Sequence, residues 1–305
     1  MSDAVTLFEM GPRDGLQNEK RPIATSDKVR LVDFLSACGF RKIEVTSFVS
    51  PKWVPQMADA AEVMAAIDRR PNVCYAVLTP NLRGYEGAKA ADADEVAIFG
   101  SASEGFCQKN INCSIAESLE RFQPVMEAAR RDGRPVRGYV SCVADCPYDG
   151  PTPPQKVAEV AARLLAMGCY EISLGDTIGS GTPEGIGCML DSVLQEVPAE
   201  KLAGHYHDTR NRALENISVS LEKGLRTFDA AIGGLGGCPY APGAKGNVDT
   251  RSVAYMLRDR GYHIGLDLER LDRVADFAWS LRSDAPRPDS ARKRTDTLRQ
   301  KSSRF

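Results

Sequence analysis

Histidine is nearly absent from this sequence: three occur in 305 residues, and two of them stand together in His205-Tyr206-His207. Excess charge of either sign is also missing. The 39 Lys and Arg balance 41 Asp and Glu to a formal net charge of -2, which provides no global attraction to nucleic acid or to an anionic membrane, so a small-molecule partner is expected. No apolar run approaches the roughly 20 residues of a membrane-spanning helix. No basic-then-apolar secretory segment opens the chain, and residues 1–4 leave little room for a cleaved leader before the first strand-like run, so a cytoplasmic location is expected. The nine cysteines are odd in number and lack framework spacing, which reads as free thiols in a reducing compartment. Cys142 and Cys146 are too far apart for a Cys-x-x-Cys pair and have no second pair, so a zinc ribbon is not expected. Cys38, Cys74, Cys169 and Cys188 fall in strand or helix patterns and are expected to be small core residues.

What the sequence does contain is alternation. Short β-like runs at 5–10, 42–48, 73–79, 95–100, 136–143, 171–176, 202–207 and 227–233 are separated by segments with apolar residues at helical spacing, such as Val157, Val160, Ala161, Leu164 and Leu165. Eight strand-then-helix units predict an α/β fold, a closed (β/α)8 TIM barrel; an open doubly wound sheet is the alternative. Thr25-Ser26-Asp27, Ser114 with Glu117, and Thr182-Pro183-Glu184 are expected helix starts, and Gly39, Gly133 and Gly168 expected stops. An amphipathic helix at 266–281 follows the eighth unit as a C-terminal extension. Residues 1–285 are expected to form the barrel domain with this helix, and 286–305 a basic, disordered tail.

Side-chain alternation along a strand points His205 and His207 to one face, within reach of one metal ion. The bland alternative is a strand with polar residues near a solvated end. In a barrel, active sites lie at the carboxyl ends of the strands. Arg13 and Asp14 follow the first run, Glu44 lies in the second, Asp176 ends the sixth, the histidines end the seventh, and Asn247 follows the eighth. Their common end favours the metal.

The stretches GPRDGLQNE at 11–19, IEVTSFVSPKWVPQM at 43–57, KNINCSI at 109–115, EISLGDTIG at 171–179 and GGLGGCPYAPGAKGN at 233–247, taken in order, resemble the 3-hydroxy-3-methylglutaryl-CoA lyase family. The resemblance implies a metal-dependent, aldolase-like barrel. Such enzymes cleave 3-hydroxy-3-methylglutaryl-CoA to acetyl-CoA and acetoacetate with Mg2+ or Mn2+. It places metal ligands on Asp14, His205, His207 and Asn247, a substrate-contacting arginine on Arg13, a catalytic cysteine on Cys238, and acidic groups of the reaction centre on Glu44 and Asp176. Two oxygens and two imidazoles suit Mg2+ or Mn2+ better than a closed zinc site. Asp14, Glu44 and His205 all remain candidates for the base that takes the substrate hydroxyl proton, Arg13 for holding the enolate charge, and Cys238 for returning a proton. The chain departs from many relatives at Asp208-Thr209-Arg210-Asn211-Arg212 and in its tail.

Asp176 is expected to support the metal ligands from behind. Gln17, Asn110, Tyr139, Ser173 and Thr177 are expected to line the substrate pocket, with Lys20, Arg21, Lys52, Arg83 and Lys109 as a rim for the CoA phosphates. Gly233, Gly234, Gly236, Gly237, Gly243 and Gly246 are expected to let the last loop close over the site. Three other readings stay open: a lyase for a related 3-hydroxy-3-alkylglutaryl-CoA, an acyl-CoA-dependent 2-oxo acid synthase, and a non-enzymatic metal or acyl-CoA binder. Oligomeric state is open too, with a homodimer among the options.

Overall fold

The structure is a computed structural model and describes residues 3–236 and 246–282. Eight parallel strands close into one barrel: β1 Thr6–Glu9, β2 Lys42–Ser47, β3 Cys74–Leu78, β4 Glu95–Ser101, β5 Val136–Ser141, β6 Glu171–Asp176, β7 Leu202–Tyr206 and β8 Thr227–Ala230. Each pairs with its neighbours in sequence, and β1 closes on β8 with Phe8 opposite Asp229 and Glu9 opposite Ala230. The TIM barrel is thus present, and the open sheet is excluded. All eight expected runs are strands: six are shorter than expected, the sixth matches at both ends, and the fourth runs one residue further, to Ser101.

Ten helices pack around the barrel among the described residues: α1 Thr25–Ala37, α2 Ala60–Ala66, α3 Leu82–Ala90, α4 Glu104–Ile111, α5 Ile115–Arg131, α6 Pro154–Met167, α7 Pro183–Val193, α8 Ala213–Glu222, α9 Thr250–Asp259 and α10 Leu268–Leu281. Local chemistry sets several of their ends. Ser114 Oγ accepts from Glu117 N at 3.2 Å while Glu117 Oε2 accepts from Ser114 N at 2.8 Å, the reciprocal cap expected from sequence. Thr182 Oγ1 caps α7 by accepting from Gly185 N, and Gly168 ends α6 in the left-handed region at φ 110°. At α1 the expected cap is not made: the Thr25 hydroxyl donates to Asp59 Oδ2 at 2.8 Å, so a loop contact takes the group that would have capped the helix.

Two layers of packing hold the barrel. Between strands and helices lies the main core, which includes Val32, Leu35, Val77, Ile98, Val160, Leu164, Leu190 and Ile217. Inside the barrel, Phe8, Met10, Ala76, Ala97 and Tyr139 form a smaller cluster. Cys38 and Cys169 are buried and Cys74 is partly so, but Cys188 is exposed. The apolar face of α7 is Ile186, Met189, Leu190 and Val193, and helical periodicity turns residue 188 away from it. The helix α10 is the expected extension. No helix among the described residues is long and apolar enough to cross a membrane.

Candidate active site

At the carboxyl end of β1 the chain makes a wide turn over Gly11–Gly15, closed by Gly15 N donating to Met10 O at 3.1 Å. Only glycine fits at its start, since a Cβ on Gly11 would lie 2.6 Å from Glu9 Oε1. The turn presents Arg13 and Asp14 side by side. Arg13 is buried, and its guanidinium donates to Asp14 Oδ1 at 2.6 Å and to Glu44 Oε2 from β2. Gln17 Nε2 donates to Asp14 Oδ1 at 3.3 Å. Burial alone would raise the Asp14 pKa, but Arg13, His205, His207 and Asn247 together hold it at about 2.

Across the mouth, β7 delivers the two histidines, whose ring centroids are 5.4 Å apart. Asp14, His205 and His207 each bring one ligand atom within 4.8 Å of the others. Asn247 joins them through a short antiparallel pairing that the motif alone did not reveal. His207 bridges Asn247, Asp208 N donates to Gly246 O at 2.7 Å, and Val248 N donates to Tyr206 O at 3.3 Å. The Asn247 amide nitrogen then reaches Asp14 Oδ2 at 2.7 Å. All four residues named from sequence as metal ligands therefore meet, with the Asn247 nitrogen rather than its oxygen turned to Asp14.

A divalent cation fits this set by two tests. His207 Nδ1 is buried without a hydrogen-bond partner, and burial, with His205 nearby, lowers the His207 pKa to about 4. A neutral imidazole with an unspent nitrogen beside a carboxylate has the donor chemistry that a divalent cation requires. On the other histidine, His205 Nδ1 lies 3.1 Å from Asp229 Oδ2. A proton on Nδ1 leaves the Nε2 lone pair for the mouth, the usual support for a metal-binding imidazole.

Asp229 was missed in the sequence reading, as were Arg137 and Glu9. Asp229 accepts from Arg137 at 2.8 and 3.0 Å and from Ser173 Oγ at 2.7 Å. Arg137, wholly buried, also donates to Glu171 Oε2 at 2.7 Å and lies 4.5 Å from the Phe8 ring centroid. The available signal was strand alternation: Arg137 and Tyr139 share one face of β5, and Asp229 stands between apolar neighbours in β8. A charge inside a barrel strand requires a partner. Glu9 Oε1 accepts from Gly11 N and Ile232 N, both at 2.8 Å, and Oε2 accepts from Thr250 Oγ1 at 2.7 Å. It thus ties the Arg13–Asp14 turn to the segment after β8.

Other expected site residues fall in different places. Tyr139 and Glu44 lie within the barrel, joined at 3.2 Å, and burial raises the Glu44 pKa even though Arg13 opposes it. Ser173 is mid-strand, and its hydroxyl donates to Asp229 Oδ2. Thr177 Oγ1 accepts from Cys142 N at 2.8 Å, which fixes a loop. The Asp176 carboxylate takes Ser180 N and Gly181 N, and only its backbone oxygen accepts from His207 N, at 3.4 Å. Its support of the ligands therefore runs through the backbone. Lys109 and Asn110 are exposed in the last turn of α4, because an extra helix follows β4 before α5 begins; a cation there suits the helix dipole, which removes one argument for a phosphate role. Cys238 and the tail at 286–305 lie outside the described residues.

The HMGL-like family model matches residues 4–278. The 3-hydroxy-3-isohexenylglutaryl-CoA/hydroxy-methylglutaryl-CoA lyase of Pseudomonas aeruginosa is 58% identical over 267 residues, covering 88% of this chain and 89% of that protein. The mitochondrial hydroxymethylglutaryl-CoA lyase of Gallus gallus is 59% identical over 273 residues, 90% of this chain and 92% of that protein. Among solved structures, the HMG-CoA lyase from Brucella melitensis matches with a TM-score of 0.91 at 62% identity, over 92% of this chain and 99% of that one.

Proposed function

Because the chain belongs to the HMGL-like family, we propose that it is a divalent-metal-dependent carbon–carbon lyase that splits 3-hydroxy-3-methylglutaryl-CoA into acetyl-CoA and acetoacetate. The observation that carries this reading is the convergence of Asp14, His205 and His207 beside Arg13 at the barrel mouth.

In the retro-Claisen step the C3 hydroxyl loses its proton, the C2–C3 bond breaks as C3 becomes a ketone carbonyl, and the electron pair passes to C2 as a thioester enolate. The enolate then gains a proton at C2. Asp14, His205, His207 and Asn247 are the proposed holders of Mg2+ or Mn2+, which when bound supplies the positive charge that acidifies the hydroxyl. Glu44 is wholly buried and committed to Arg13 and Tyr139, so its proposed role is to fix Arg13. That leaves Asp14, whose side chain is 16% exposed, as the proposed proton acceptor, because the two nitrogens of His205 are committed to Asp229 and to the ion. The Arg13 guanidinium, locked between two carboxylates, offers fixed donors to the enolate oxygen. Cys238 is the proposed proton donor to C2, with the glycine-rich segment around it excluding water.

A broader reading, acceptance of 3-hydroxy-3-alkylglutaryl-CoA substrates, is favoured by the name of the Pseudomonas aeruginosa relative. The test is incubation with 3-hydroxy-3-methylglutaryl-CoA, quantifying acetyl-CoA and acetoacetate. Equal yields support the proposal. No cleavage, or condensation of acetyl-CoA with a 2-oxo acid instead, would overturn it. A place in leucine degradation, a cytoplasmic location and a homodimeric state complete the proposal, to be tested by growth of a deletion strain on leucine, fractionation and sedimentation.

A further inference from the structure

Lys28 is a buried cation with no part in the chemistry above. Its side chain is 6% exposed, and its ammonium donates to Asp59 Oδ1 at 2.7 Å and to the carbonyl of Gln56. A charge taken out of water gains little net stability from its partner, so such a pair points to a group that has to be held in place. Thr25 points the same way. Its hydroxyl donates to Asp59 Oδ2 at 2.8 Å, and the first turn of α1 goes without a side-chain cap. Together these bonds fix the start of α2 and, through Lys28, the backbone of Gln56 in the loop after β2.

The Gln56 side chain is directed at the loop after β1. Both N–H groups of its amide donate to backbone carbonyls, Glu19 O at 3.0 Å and Arg21 O at 2.9 Å, and its Oε1 accepts from Ile23 N at 3.0 Å. An apolar side chain here would leave three backbone groups without this partner. Glu19 in turn closes a tight turn by donating its N–H to Leu16 O at 3.0 Å, and Leu16 is wholly buried. Inside that turn stands Gln17, whose Nε2 donates to Asp14 Oδ1 at 3.3 Å. An unbroken series of contacts thus runs from Gln56 to the Asp14 carboxylate.

Resting on the metal-dependent lyase reading above, we propose that Gln56 is a positioning residue for Asp14. By fixing the Leu16–Glu19 turn it sets where Gln17 stands, and Gln17 aims the Asp14 carboxylate at the ion and at the substrate hydroxyl. Gln56 itself touches neither.

The test is a double-mutant cycle on the full chain, read by Mn2+ titration as well as by turnover. Gln17→Ala should weaken Mn2+ binding about tenfold, the lower end of losing a partner behind a metal ligand, and Gln56→Ala should do so by a similar factor. The double variant should bind no more weakly than the weaker single, since both act through one contact. Tyr85→Phe, which removes a hydroxyl that donates to Asp132 at 2.6 Å in the helical layer, should lose stability and keep wild-type Mn2+ affinity. At saturating Mn2+, Gln56→Ala should lower kcat and change KM less. Where the alanine variant does not fold, Gln56→Asn, one methylene shorter, should show the same loss of affinity. Unchanged Mn2+ affinity in a folded Gln56 variant overturns the proposal, as do losses that multiply in the double variant. Coupled Mn2+ binding in a protein that does not cleave 3-hydroxy-3-methylglutaryl-CoA would refute the proposed reaction and leave the positioning role standing. Cleavage with uncoupled variants would do the reverse.

Discussion

Asp229 Oδ2 lies 3.1 Å from His205 Nδ1 while the same carboxylate pairs with the buried Arg137. One side chain thus orients a proposed metal ligand and neutralises the charge at the barrel's centre. Burial would raise its pKa, yet Arg137 and His205 hold it well below the usual carboxylate range, so it remains an anion at any working pH.

Asp229→Asn should therefore do two things at once. Metal affinity, read by Mn2+ titration, should fall about 10- to 100-fold as His205 loses its oriented tautomer. Thermal unfolding should show a loss of about 3–5 kcal/mol, because Arg137 is left partly unpaired in the interior. Ser173→Ala, which removes only a neutral donor, is the control and should retain metal affinity. Full affinity in Asp229→Asn would detach Asp229 from the site.

Arg13→Gln should lower kcat by about a hundredfold and change KM less, since the enolate charge it faces exists only as the bond breaks. The structure adds a second effect: Asp14 and Glu44 lose a common cation, so stability should also fall. A raised KM with unchanged kcat would reduce Arg13 to holding substrate.

Glu9 makes a pH prediction. Burial raises its pKa to about 7, against the opposing pull of Ile232 N–H, the Thr250 hydroxyl and Gly11 N–H. A carboxyl whose folded pKa exceeds its unfolded value of 4.5 binds more protons when folded, so its contribution is fully present below pH 4.5 and is lost as pH rises to about 7. The loss is about 3 kcal/mol across that window. Denaturant unfolding of Glu9→Gln should show a correspondingly flatter profile between pH 4.5 and 7, with Gln nearly isosteric and Thr250 free to reverse its bond. An identical pH slope in the variant would show that Glu9 is ionised throughout.

Alkylation should separate the thiols. Among the described residues Cys188 is exposed, whereas burial pushes the Cys142 and Cys169 thiols up to about 12 and leaves them unreactive. Iodoacetamide should inactivate the enzyme through Cys238, substrate should slow the loss, and Cys188→Ser should inactivate at the wild-type rate. Cys238→Ser should lose most activity and still bind metal. Full activity in that variant would make the cysteine structural.

Periodicity made the barrel legible because each strand's alternation and each helix's apolar face are local properties. The eighth run was read three residues too long: after Ala230 the chain leaves the barrel through Ile232–Gly234, with Gly233 at φ 68° and Ala231 paired instead with Asp249. The residues Asp14, His205, His207 and Asn247 came from strand position and resemblance, and the pairing of His207 with Asn247 accounts for their meeting. Asp229, Arg137 and Glu9 escaped notice because their partners are distant in sequence. Nothing local tells a buried, paired charge from a surface one. The partners of Ser173 and Thr177, Asp229 and the Cys142 amide, were hidden for the same reason.

The account turns on the metal, so the most direct measurement is turnover of 3-hydroxy-3-methylglutaryl-CoA by chelator-stripped protein, before and after Mg2+ or Mn2+ is restored, alongside His207→Ala. The account predicts no cleavage by the stripped enzyme, recovery with either ion, and His207→Ala that stays folded but requires far more metal. Full-rate cleavage by stripped protein would contradict it.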